Sequence, residues 1–217
     1  MDWAHLFMKL IGSKAPQSVK HMRLLAMFHE AIQDLDKAKE IYNELIVINP
    51  TDFQTIKRLV ALERDRGKIN EAIGLLNKYI ENNQQDHEAW LELTELYLAK
   101  HNYDKAMFCY EEILSINPGN YHVNIRYAEI LYSAGNDNLD NLYNARKYYS
   151  HALTLQNDKS STRALWGLLK VCKSIEANLK KEDEKNTELI KVCQDKIKEI
   201  YASKKTSGNV SAMSLMK

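Results

Sequence analysis

The sequence predicts an all-α fold, a superhelical solenoid of antiparallel helix pairs with about 11 helices. The first observation is residues 87–120, HEAWLELTELYLAKHNYDKAMFCYEEILSINPGN, which read as two short amphipathic helices folded back on each other. Trp90, Leu93 and Tyr97 fall at i, i+3 and i+7 on the first helix, one face of a helical period. Ala106, Tyr110, Ile113 and Leu114 share a face of the second, which stops at Asn117-Pro118-Gly119. Proline cannot continue a helix, and it drives the residue before it out of the α region. The second observation is that the unit recurs at a constant interval: the small residue of the second helix is Ala4, Ala38, Ala72 and Ala106. The closing proline is Pro16, Pro50 and Pro118, with Gln84 as the one departure. Larger apolar groups recur as Met8, Tyr42, Leu76 and Tyr110, then Ile11, Leu45, Tyr79 and Ile113. The third observation is that only 7 Gly and 3 Pro are present, so β-type turns are scarce and helix dominates.

A small residue is wanted where the two helices cross closest, because a larger one forces the backbones apart. One pair cannot bury its apolar face alone, so neighbours stack and share a core. The length and the Trp–Leu–Tyr–Ala–Tyr–Pro spacing of the unit are those of a tetratricopeptide (TPR) repeat.

In chain order, residues 2–18 match only the second helix of a repeat. The missing partner helix is expected upstream of Met1, or else a partner protein covers the apolar flank of Trp3, Phe7 and Leu10. Residues 19–52 hold the first full repeat, with helices near 18–31 and 35–48 and Met22, Leu25 and Ala26 facing Ala38, Tyr42 and Leu45. Asp34 and Asp36 suit the positive end of its second helix. In residues 53–86, Ile56, Leu59 and Val60 pack onto Ala72, Leu76 and Tyr79. Gly67 lies in the turn, where left-handed backbone is often required. Residues 87–120 are the third full repeat.

The repeat over 121–159 departs from the period. Tyr127, Ala128 and Leu131 form its first helix and Gly135 ends it, but position 140 is Asp where a small residue is due. Ala145 fits instead, and Tyr149, Ala152 and Leu153 resume the pattern, so the turn within GNDNLDNLYN gains five residues. Such loops are either partner contacts or tolerated surface insertions. Residues 160–202 form a degenerate capping repeat: Ala164, Leu165, Gly167 and Leu168 around Trp166, then Leu189, Val192, Ile197 and Ile200 on a last helix. A single solenoid thus spans 1–202. Residues 203–217 lack helical period and read as a flexible tail or one ordered by a partner. Their Asn209-Val210-Ser211 sequon matters only in a secretory lumen.

Composition narrows the class. Formal net charge is +1, with no bulk attraction to nucleic acid or an acidic membrane. The three cysteines, Cys109, Cys172 and Cys193, are odd in number and form no C-x-x-C pair, which points to a reducing compartment without disulfide or zinc framework. No apolar run approaches the roughly 18 residues a membrane span needs. Asp2, His5 and Lys9 interrupt any signal-peptide core. The chain is therefore expected in the cytosol or on a cytosolic surface. Its seven histidines form no i, i+4 pair, and no glycine-rich phosphate loop, nucleophile elbow or triad signature occurs. Glu111-Glu112 and Glu182-Asp183-Glu184 read as solvated carboxylates, Cys109 as a buried structural thiol, and the tyrosines as packing residues. No cofactor or metal is expected, and no enzyme.

Binding remains. In TPR stacks the first helix of each pair lines a concave groove, with its second, fifth, ninth and twelfth residues pointing in. Those positions are Lys20, Arg23, Met27 and Glu30; then Gln54, Lys57, Ala61 and Arg64; then Glu88, Leu91, Glu95 and Leu98; then His122, Ile125, Glu129 and Tyr132. The candidate protein-binding set is Lys20, Arg23, Met27, Lys57, Arg64, Glu88, Leu91, Glu95, Leu98, Ile125, Glu129 and Tyr132. It runs from basic to acidic and apolar, a gradient able to orient an extended partner. The same residues serve equally as solvated charges on an exposed face. No repeat carries the lysine–asparagine pair with which chaperone-binding TPR domains grip a terminal carboxylate, and the acidic later repeats argue against RNA.

The blocks GKINEAIGLLNKYIE (67–81), DHEAWLELTELY (86–97), NYDKAMFCYEEIL (102–114), INPGNYHVNIRYAEILYSAG (116–135), NLDNLYNARKYYSHAL (138–153) and RALWGL (163–168) resemble subunit 2 of the endoplasmic reticulum (ER) membrane protein complex. The resemblance covers roughly residues 1–205 and includes the irregular repeat. It implies a non-enzymatic scaffold on the cytosolic face of the ER membrane, attached indirectly through protein partners. Those partners are cytosolic segments of transmembrane subunits and, in many lineages, another soluble subunit. The complex it implies inserts transmembrane segments into the bilayer. The residues alone leave open a free cytosolic adaptor or cochaperone that binds peptide segments.

Overall fold

The computed structural model describes residues 18–135, 138–155, 161–179 and 183–203, together with Trp3, Leu6 and Leu10. Ten helices and no strand are found among them: α1 (Val19–Ala31), α2 (Leu35–Ile48), α3 (Phe53–Asp65), α4 (Ile69–Asn82), α5 (His87–Ala99), α6 (Tyr103–Ile116), α7 (Tyr121–Ala134), α8 (Leu139–Leu155), α9 (Thr162–Asn178) and α10 (Glu184–Ser203). The expected half-repeat over 2–18 lies outside the described residues apart from Ser18 and exposed Trp3, Leu6 and Leu10. So do Asn136 and Asp137 of the insertion and residues 204–217 of the expected tail. The chain packs as two compact units, Met1–Leu96 and Tyr97–Lys217.

In the first unit α1 packs on α2, α2 on α3 and α3 on α4. Ala26, Ala38, Tyr42, Leu45, Leu59 and Leu62 form a core, with Met22, Ile41 and Leu75 against it. Ala38 and Ala72 are fully buried, as the crossing of two helices requires. Lys39 on α2 lies 2.6 Å from Glu63 Oε1 on α3 and 3.1 Å from Glu71 on α4. Glu63 is only 1% exposed, so this ion pair is buried at the acidic end. Its close pairing with Glu63 is the main reason the Lys39 ammonium is held above its ordinary pKa.

The repeat is written into the backbone as well as the side chains. Gln33 (φ 64°), Gly67 (φ 74°) and His101 (φ 56°) all adopt left-handed backbone, and the three stand one repeat interval apart. At each, the next amide donates back over the helix end: Asp34 to the His29 carbonyl, Lys68 to Glu63 and Asn102 to Tyr97, all at 2.9 Å. This is the Schellman closure, which caps otherwise orphaned carbonyls. Glycine meets its steric demand at one of the three positions only.

In the second unit α6 packs on α7, α7 on α8, α8 on α9 and α9 on α10. Ala106 and Ala145 are fully buried, so Ala145 takes the small-residue place after the insertion. Tyr127 stacks on Tyr110 (centroids 6.2 Å apart) and meets Tyr148 edge-on at 4.7 Å. Burial first, and then its hydrogen bond to Glu111, push the Tyr127 phenol far up. The ring of Tyr149 lies so close to α9 that a Cβ on Gly167 would sit 2.4 Å from it. Arg146 on α8 reaches Asp183 (2.9 Å) and Asn186 (3.1 Å) at the start of α10. Asn186, fully buried, donates to the Cys172 carbonyl at 2.8 Å.

That anchor lies on the buried side of α10. Of the apolar residues that the sequence places on this helix, Val192 is 49% exposed and Ile197 0%, while Cys193 is buried at 1%. Asn186, Cys193 and Ile197 fall at i, i+7 and i+11, one stripe that turns Val192 outward. Cys109, Cys172 and Cys193 are all buried, reduced thiols.

Candidate functional site

The predicted residues of the first unit sit on α1, α3 and α5. Lys20 is exposed and, among the described residues, has no carboxylate partner. Arg23 is different: its guanidinium donates to Asp52, Gln54 and Thr55 at the start of α3. Asp52 also accepts from the Thr55 hydroxyl at 2.6 Å. Burial would raise the Asp52 carboxyl, but Thr55 and Arg23 together hold it below its ordinary range.

The same device recurs one repeat later. Lys57 lies 2.8 Å from Asp86, which also accepts from Tyr79 OH at 2.6 Å. The other Asp86 oxygen accepts the amides of Glu88 and Ala89 at 3.1 Å, capping α5. Again burial would raise the carboxyl, and Lys57, Tyr79 and the cap lower it. Burial, and then Asp86, raise Tyr79 to about 12. Each cation therefore reaches forward to the aspartate that opens the next pair and ties consecutive first helices together.

These tethers spend the positive charge expected of the surface. Arg23 and Lys57 present ion pairs to solvent, not bare cations. Arg64 lies 3.3 Å from Glu92 on α5. Burial raises the Glu92 carboxyl, partly offset by Arg64. Met27 and Leu91 are half-buried, while Glu88 and Glu95 are exposed.

In the second unit, Leu98 is half-buried. Ile125 is 1% exposed and belongs to the core, which corrects its placement on an accessible face. Glu129 and Tyr132, by contrast, line a cleft between α7 and α9 of about 540 Å³, within the range of ligand pockets. Arg163 of α9 grips both Glu129 oxygens at 2.7 Å. The Lys170 ammonium lies 4.8 Å above the Tyr132 ring, whose hydroxyl is 3.3 Å from Ser174. Trp166, Lys173 and Tyr149 complete the walls.

Sequence reasoning missed Asp52 and Asp86, although each stands just before a helix and at the same interval from its cation. It also missed Arg163, Trp166, Lys170 and Lys173, whose i, i+3, i+7, i+10 spacing places them on one face of α9. The insertion before α8 delays α9 beyond the regular interval from α7, so the repeat count no longer located them. No group of three or more His, Cys, Asp or Glu among the described residues is placed to hold a metal.

Residues 3–136 match the family described as the EMC2 TPR-like repeat domain. The chain is 42% identical over 153 residues to ER membrane protein complex subunit 2-B of Xenopus laevis, covering 70% of this chain and 50% of that one. It is 31% identical over 152 residues to ER membrane protein complex subunit 2 of Dictyostelium discoideum, covering 70% of this chain and 47% of that one. The chain thus spans about half the length of these relatives. Among solved structures, MamA matches with a TM-score of 0.61 at 15% identity, over 88% of this chain and 97% of MamA. YrrB, described as a TPR protein with an unusual peptide-binding site, matches at 0.60 and 11% identity over 92% and 98%. These two likenesses establish the TPR fold, which the helix pairs and their regular spacing already display. With the repeat, its Schellman turns and the family match in agreement, the chain belongs to the family of ER membrane protein complex subunit 2.

Proposed function

We propose that the chain is a non-enzymatic scaffold, a TPR subunit of the ER membrane protein complex. In this reading it sits peripherally on the cytosolic face of the ER membrane. It bridges cytosolic segments of transmembrane subunits and another soluble subunit, within a complex that inserts transmembrane segments. The observation that carries the reading is the family match over residues 3–136, whose relatives are named as subunits of that complex.

The physical chemistry supports it. No helix of the described residues is long and apolar enough to cross a membrane, which fits attachment through proteins. The Arg23–Asp52 and Lys57–Asp86 ion pairs link consecutive first helices, an arrangement that suits a bridge. Burial pushes the Cys172 thiol up to about 12 and the Cys193 thiol up to about 11, the opposite of an activated nucleophile. A formal net charge of +1 supports protein partners in preference to nucleic acid.

The test is affinity purification of the tagged full-length protein from gently solubilised membranes, with mass spectrometry of its companions. Stoichiometric recovery of several transmembrane proteins related to the other subunits is expected. Recovery of soluble chaperones alone would replace the reading with a free cytosolic adaptor.

A further inference from the structure

We infer that the cleft between α7 and α9 is a docking site for an acidic peptide segment carrying an apolar side chain. The inference rests on the scaffold reading and names the partner chemistry of one part of its surface.

Aromatic rings line the cleft around Gly167. Gly167 has no side chain, and the Tyr149 ring occupies the space a Cβ would need. Trp166 stands half-buried beside it. A lining of this kind takes an aromatic or branched side chain. The rim is cationic: Arg163 and Lys170 face one carboxylate, Glu129. Glu129 is fully engaged by Arg163, both oxygens bonded at 2.7 Å. Lys170 rests on the Tyr132 ring with no carboxylate within ion-pair distance among the described residues. An ammonium on an aromatic face keeps donors to spare, since the ring satisfies its charge but not its N–H groups.

The cleft therefore offers an apolar seat beside an excess of positive charge. A carboxylate on the ligand completes the Lys170 site, and an adjacent apolar side chain packs against the Tyr149 and Trp166 rings. Charge complementarity selects the acidic peptide over a basic one, because a basic segment would meet like charge at Lys170.

The test uses purified full chain and a short fluorescent peptide with one phenylalanine between aspartates. Two controls replace its aspartates by lysine or its phenylalanine by alanine. The acidic peptide is expected to bind and both controls to bind at least tenfold more weakly, about 1.4 kcal/mol. Lys170→Glu, at an exposed position and with its fold checked by circular dichroism, should weaken binding about tenfold or more. Trp166→Ala should weaken the acidic peptide and leave the alanine control unchanged. Binding should also weaken as salt rises. Equal affinity for the lysine peptide, or indifference to Lys170→Glu, would overturn the inference. So would binding of an RNA oligomer or anionic vesicles in its place. These failures leave the membrane-complex recovery intact, so they are distinguishable from failure of the scaffold reading.

Discussion

Replacing Gln33 with glycine is expected to stabilise the first unit and His101→Gly the second, whereas Gly67→Ala should weaken the first. All three residues close a helix in left-handed backbone: φ is 64° at Gln33, 56° at His101 and 74° at Gly67. There an L-residue brings its Cβ against the following carbonyl oxygen, at a cost of roughly 1–2 kcal/mol. Glycine avoids that cost but has more freedom in the unfolded chain, a penalty of roughly 0.4–1 kcal/mol. The balance favours each glycine substitution by about 0.5–1 kcal/mol. Gln33 and His101 are exposed, so their side chains give up no core packing. A Cβ on Gly67 would meet nothing within 4 Å, so Gly67→Ala loses conformational energy alone, again about 0.5–1 kcal/mol. Urea unfolding followed by far-ultraviolet circular dichroism reads the effect as a midpoint shift at constant slope. The matching change in melting temperature is about 2–4 °C per kcal/mol for a chain of this size. A Gln33→Gly protein that melts earlier, or a Gly67→Ala protein that melts unchanged, would refute the assignment of strain to these turns.

Lys39→Met should cost about 3–5 kcal/mol, because it strands the buried Glu63 carboxylate; pairing it with Glu63→Leu should recover most of the loss, as measured in a double-mutant cycle. Asp52, Asp86 and Asp183 are held below the ordinary carboxylate range in the folded chain. Their contribution is therefore fully present above the unfolded value near pH 4 and is lost as the pH falls through the lower folded values. Asp86→Asn should flatten that acid limb in a series of melts across pH; an unchanged limb would remove the Lys57 tether from the account. The thiols of Cys172 and Cys193, raised by burial, should react with an aromatic disulfide reagent only on unfolding. Prompt labelling of the native protein would contradict their burial.

The repeat was legible in the sequence because its causes are local or steric. Ala38, Ala72 and Ala106 recur since closely crossing helices tolerate only small groups, and all three are fully buried. Trp90, Leu93 and Tyr97 announced a helix face by spacing alone, and each is at most 8% exposed. Ala145 was recoverable across the insertion for the same reason. The site was legible only in part. Glu129 and Tyr132 do reach a cleft, but Ile125 on the same helix turns into the core. A helix position predicts a direction, and the neighbours packed around it decide whether that direction is open. Charge was less legible still. Arg23 and Lys57 read as free cations until Asp52 and Asp86 were found folded against them, since Coulomb attraction depends on through-space distance, which sequence separation does not encode. Val192 and Cys193 differ by one residue and so by about 100° around α10; the buried Asn186 shares the stripe of Cys193. By itself the sequence determined the all-helical repeat and the family. Only the tertiary structure decided which side chains remain available to a partner, because availability is what is left after every neighbour has taken its share.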